Sequence, residues 1–143
     1  MVEAPVLTPL EASALEMLLA GDDPILAALR EQLRSARVRE RTRTGVGVFT
    51  HFEVGGGAGG VLGPDESLHI ADVVARLPAE LDTIMFHLAV RSGKLDYLEA
   101  ATVGDAWPER TIDQAQLMYF DRGHPKGTPT RDLDQARLQW RTR

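Results

Sequence analysis

Residues 24–54, PILAALREQLRSARVRERTRTGVGVFTHFEV, change their hydrophobic period partway through, and that change decides the fold. Ile25, Leu26, Leu29 and Leu33 recur at the three-and-four spacing of one helical face. Asp22 or Asp23 offers an N-cap, and Pro24 occupies the first helical position. After Ser35 the period falls to two: residues 38–44 alternate arginine with other side chains, and residues 46–54 are rich in β-branched and aromatic residues. A helix thus runs straight into strands.

Working outward, the N-terminal side repeats the helical pattern. Thr8 is an N-cap, Pro9 the first helical residue, and Glu11 completes a capping box. Leu10, Ala14, Leu15, Leu18 and Leu19 form the apolar stripe, and Gly21 stops it. The short connection predicts an antiparallel helical hairpin. On the C-terminal side, residues 55–64 hold six glycines and read as a loop. Residues 67–77, 82–91, 94–103 and 112–120 read as strands, with Ser92-Gly93 as a tight turn, and residues 131–140 as a short amphipathic helix. Helices first and strands afterwards predict an α+β fold, the hairpin packing on a mostly antiparallel meander of five or six strands. The expected organisation is a single domain over residues 1–120 and a basic tail over 121–143.

Composition excludes several function classes. The chain has 143 residues and no cysteine, which removes disulfide scaffolds, thiol nucleophiles and thiolate metal sites. No apolar run approaches a membrane span and no basic leader precedes one, so the expected location is cytoplasmic. The net charge of −5 is unevenly placed. Residues 30–43 hold six arginines against two glutamates, a net of +4; residues 121–143 hold six basic against three acidic residues, a net of +3; the remainder carries −12. The acidic balance disfavours generic nucleic-acid binding and suits a basic partner.

The segments 44–52, TGVGVFTHF, and 95–108, LDYLEAATVGDAWP, resemble a family of small, functionally uncharacterised bacterial proteins that carry a T-G-V-G-F-F-T-H-F strand and a late L-x-x-L-E-G-x-T-x-G-x-x-W-P strand and turn. The resemblance spans residues 7–120, departs at Ala100 and in the glycine-rich insertion, and implies a single α+β domain with no activity to carry over.

Four constellations remain. The glycine run lacks the Gly-Lys-Ser/Thr and the following helix of a phosphate loop, so it reads as a hairpin loop. A hairpin centred on it places His51 opposite His69 or Ile70, and one centred near Ala79 places His87 opposite Asp72. That is raw material for a general base or, with two ligands at best, a metal site, against the plain reading of hydrogen-bonded sheet histidines. Glu99, sharing parity with Tyr97, is the carboxylate to examine for acid–base chemistry if buried. Arg37, Arg39, Arg41 and Arg43 share parity, so a regular strand projects them from one face about 6.6 Å apart. This is either a partner-docking stripe or the charged guard of an edge strand.

The leading expectation is a non-enzymatic module that binds another protein, as an immunity-type inhibitor or a regulatory subunit, with no cofactor or metal. The alternative is a small-molecule-binding protein or small enzyme with a pocket between helices and sheet, using His51, His87, Asp72 or Glu99. Nucleic-acid binding through the arginine stripe comes third. The tail or an edge strand could also pair two copies.

Overall fold

The computed structural model describes residues 6–55, 67–77, 83–103, 107 and 115–140. Helix α1 (Pro9–Leu18) starts at the predicted capping box: Thr8 Oγ1 accepts from the Glu11 amide at 3.1 Å, and Glu11 Oε1 accepts from the Thr8 amide at 2.8 Å. Helix α2 (Pro24–Ser35) is capped by Asp23, whose Oδ1 accepts from the Ile25 amide at 2.7 Å. Arg30 reaches back from α2 to the Leu19 and Gly21 carbonyls at 2.5 and 3.0 Å, satisfying acceptors that the end of α1 leaves open.

Seven strands follow: β1 (Arg37–Arg43), β2 (Gly47–Glu53), β3 (Leu68–Arg76), β4 (Thr83–Arg91), β5 (Lys94–Thr102), β6 (Gln116–Asp121) and β7 (His124–Thr128). Helix α3 (Leu133–Trp140) ends the chain's described part. The fold is α+β, with the helical hairpin on an antiparallel sheet and a short C-terminal helix. Strand β7 adds one more than expected, because Pro125 and Gly127 argue against a strand. At the sheet edge proline is tolerated, since its missing N–H can face away from the partner. The expected strand over 112–120 begins at Gln116 among the described residues; 112–114 and the glycine run 56–64 lie outside them.

The sheet is not a simple meander. Its order is β1-β2-β5-β4-β3-β6-β7, every neighbour antiparallel. Strands β3, β4 and β5 run as a meander, but β2 pairs with β5, so β2 and β3 are separated by two strands. The predicted Ser92-Gly93 turn joins β4 to β5 with φ of 55° and 76°, the left-handed pair of a tight hairpin. Gln32, 1% exposed, clamps that turn from α2: its Nε2 donates to the Gly93 carbonyl at 2.7 Å, and its Oε1 accepts from the Leu95 amide at 3.1 Å.

One face of the sheet carries the core. Ile70, Val73, Ile84, Phe86, Leu88, Val90 and Leu98 pack there against Leu15, Leu18, Leu26 and Leu29, as the alternation along β4 predicts. Each such side chain contributes about 2 kcal/mol when fully buried. Ala136 and Trp140 of α3 belong to the same cluster. The boundary placed at residue 120 therefore falls within β6, and the segment beyond it folds back onto the domain.

Candidate functional site

The charge arithmetic resolves into three ion pairs built on buried carboxylates. Glu11 (7% exposed), Asp23 and Asp72 (8% each) are the buried carboxylates among the described residues. Each meets an arginine from one of the two basic segments. Glu11 pairs with Arg41 of β1 at 2.7 Å and also accepts from the buried Thr50 hydroxyl. Asp23 pairs with Arg137 of α3 at 2.6 Å. Asp72 holds Arg131 by two bonds of 2.7 and 2.8 Å. Arg131 in turn donates to the Leu18 and Ala20 carbonyls at 2.8 and 2.9 Å and lies over the Tyr119 ring. For Glu11 and Asp23 helix-cap chemistry and tertiary pairing share one carboxylate, and Asp72 is taken up by Arg131, which makes all three acids structural. Burial raises the Tyr119 phenol, with Arg131 opposing the shift, and its hydroxyl donates to the Met17 carbonyl at 2.6 Å.

The arginine stripe does not form on one face. A bulge between Val38 and Glu40 makes Arg39 the extra residue of β1. Arg37 stands opposite Glu53 and Glu40 opposite His51, on the face away from the helices, whereas Arg41 stands opposite Thr50 on the helix face. Arg37, Arg39 and Arg43 are exposed along the sheet edge, and Arg41 is held inside by Glu11.

Nor do the histidines meet as the glycine-centred hairpin predicts, because β2 and β3 are not neighbours. His51 stands opposite Tyr97 instead of His69. A second bulge puts two residues of β3, Ala71 and Asp72, across from His87, and Asp72 turns to Arg131 on the helix side. His87 stands opposite Glu99. Its Nε2 lies 2.7 Å from His69 Nδ1, and its Nδ1 lies 3.4 Å from Glu99 Oε1. The two imidazoles and the carboxylate thus form one series with His87 in the middle. The two nitrogens approach far closer than the ring centroids at 4.9 Å, so the rings meet edge to edge.

These groups lie on the sheet face opposite the helices, over which no described helix or strand packs. Phe49 stands beside Tyr97 with centroids 5.4 Å apart and planes at 63°. His51 lies 6.3 Å from Phe49 and 6.1 Å from Tyr97, and His87 lies 5.8 Å from Tyr97 at 88°. With His69, five rings form a continuous patch across β2, β5, β4 and β3, and Met85 stands 40% exposed on the same face of β4. Phe49 is not singled out by its sequence. The signal was the shared parity of Phe49 with His51 and of Tyr97 with Glu99, which becomes a patch only once β2 pairs with β5.

Among the described residues no group of three or more histidine, aspartate or glutamate side chains is arranged to hold a metal ion. A hollow of about 10 Å³, room for roughly one water, lies beside Asp72, Tyr119 and Asp121, on the far side of the sheet from the ring patch. No described helix is long and apolar enough to cross a membrane. Comparisons with protein-family models, with curated proteins and with solved structures found no match.

Proposed function

We propose that this chain is a non-enzymatic protein-binding module that docks a basic partner on the open face of its sheet. The observation that carries this reading is the five-ring patch of Phe49, His51, Tyr97, His87 and His69, half-buried and contiguous, with Met85 exposed beside it. Tyrosine, phenylalanine and methionine are enriched in the cores of protein interfaces, and here Phe49, Tyr97 and Met85 share one face with three imidazoles that add polar contacts. A chain of net charge −5 attracts a basic partner and speeds its encounter. An inhibitor of the immunity type, or a regulatory subunit, fits that charge and size.

A second reading rests on the hydrogen-bonded series Glu99–His87–His69, which has the form of a carboxylate-oriented imidazole base. It is the weaker one, because the series lies on a broad seven-stranded sheet face.

The test is capture of the partner from the source cell, followed by affinity measurement with purified components. Met85→Glu and Tyr97→Ala should each weaken binding by about tenfold or more while thermal unfolding stays cooperative. Arg34→Ala, on the exposed side of α2, should not. Unchanged affinity in both open-face variants overturns the proposal.

A further inference from the structure

We infer that Glu99 and the rings around it form a receptor for a guanidinium group, the arginine side chain of the docked partner. The inference rests on the docking reading above and names what that face recognises.

Glu99 occupies the middle of the patch. On one side it stands opposite Phe49 of β2, on the other opposite His87 of β4, and Tyr97 precedes it by two residues on the same face. Directly opposed residues of antiparallel strands keep their Cβ atoms about 5 Å apart, so the carboxylate rises between ring walls. Phe49 and Tyr97 meet at 63°, and Tyr97 and His87 at 88°. Both contacts are edge to face, so the three rings pack on one another beside the carboxylate and keep a half-exposed aromatic surface next to it.

The carboxylate itself is poorly satisfied. Its contact with His87 is 3.4 Å, longer than a good N–H···O bond, and among the described residues no other hydrogen-bond partner reaches it. Its side chain is 33% exposed, partly withdrawn from water without compensation. The buried acids Glu11, Asp23 and Asp72 each hold an arginine at 2.6–2.7 Å. Among the described residues Glu99 has no such arginine. On the same face of β4, Arg91 is engaged with Asp96 near the β4–β5 turn.

A carboxylate flanked by aromatic rings selects a particular cation. Guanidinium is planar and weakly hydrated; it can lie on a ring while its N–H fork bonds both carboxylate oxygens. The compact, strongly hydrated ammonium of lysine gains the charge attraction but little of the stacking. The residues outside the two basic segments carry −12, which draws in a basic surface, and the receptor then chooses among its cations.

The probes are hexa-arginine and hexa-lysine peptides, titrated into the isotope-labelled full chain at low salt, with amide shifts mapping the site and calorimetry giving affinity. Hexa-arginine should bind about fivefold or more tightly than hexa-lysine and shift Phe49, Tyr97, His87 and Glu99. Glu99→Gln, close in shape, should weaken it about tenfold, and Glu31→Gln on exposed α2 should leave it unchanged. Equal affinity for the two peptides, shifts centred elsewhere, or indifference to Glu99→Gln would each overturn the inference. The spectrum of Glu99→Gln itself reports whether the sheet is intact. The two readings fail separately: partner binding lost in Met85→Glu without arginine preference keeps the docking face and removes the receptor. Peptide binding at Glu99 beside a partner that ignores Met85→Glu does the reverse.

Discussion

Glu11, in the first turn of α1, and Arg41, on the edge strand β1, meet across 30 residues in a two-point ion pair, Nη2–Oε1 at 2.7 Å and Nε–Oε2 at 3.2 Å. The same carboxylate closes the α1 capping box, so one side chain both starts the helix and seats it on the sheet edge. Of the four arginines spaced by two along β1, this is the one turned inward.

Removing Arg41 therefore differs from removing its neighbours. Arg41→Ala strands a buried carboxylate and should cost about 3 kcal/mol, whereas Arg39→Ala, whose side chain is 57% exposed beside Glu40, should change stability by less than about 0.5 kcal/mol. Urea denaturation midpoints of the two variants check this. Equal effects would mean that the pair does not hold α1 to β1.

Arg131 should behave similarly at the other end of the chain. Arg131→Ala leaves Asp72 unpaired and frees the Leu18 and Ala20 carbonyls, for a loss of about 3 kcal/mol or more. The double variant Asp72→Leu, Arg131→Met removes both charges and should recover much of that loss. Truncation before Gly123 should be worse than either, because Ala136 and Trp140 leave the core with it.

Gly47 is the close approach that lets β2 lie against β5. A Cβ there would stand 2.4 Å from the Ala100 carbonyl oxygen and 3.0 Å from the Ala101 Cα, both backbone atoms that cannot step aside. Gly47→Ala should cost about 1–3 kcal/mol and disturb the register that sets Phe49 opposite Glu99. Amide shifts along β2 and β5, read beside the denaturation midpoint, test it.

Tyr119 sets a pH dependence at the alkaline end. Burial raises its phenol above the ordinary value of 10.0, so in that window the folded chain keeps a proton that the unfolded chain has lost. The contribution to stability is complete below pH 10 and declines as pH rises through the folded value. Ionisation also removes the proton donated to the Met17 carbonyl. Tyr119→Phe should lower stability at neutral pH by about 1 kcal/mol and flatten the alkaline decline; an unchanged decline would assign it to other groups.

The patch itself shows where local reading stops. The period-two alternation already placed Tyr97 with Glu99 on a common face, and it puts Ile84, Phe86, Leu88 and Val90 in the core. Which strands lie side by side carries no such local mark. The glycine run looked like a hairpin and so brought His51 to His69; the sheet instead inserts β5 and β4 between them. The bulges in β1 and β3 were equally silent, because one extra residue reverses parity without altering composition. Through them Arg37 parts from Arg41, and Asp72 parts from His87.

What the sequence by itself determined follows from interactions within a few residues: the capping box at Thr8 and Glu11, the cap at Asp23, the Ser92-Gly93 turn and the two hydrophobic periods that make the fold α+β. Only the tertiary structure decided which charges face inward and which rings meet. Glu11 with Arg41, Asp72 with Arg131, and Glu99 between Phe49 and His87 are each separated by at least a dozen residues. Such pairs form where strand order and register bring them together, and burial of the whole core selects that order, not the preference of any local segment.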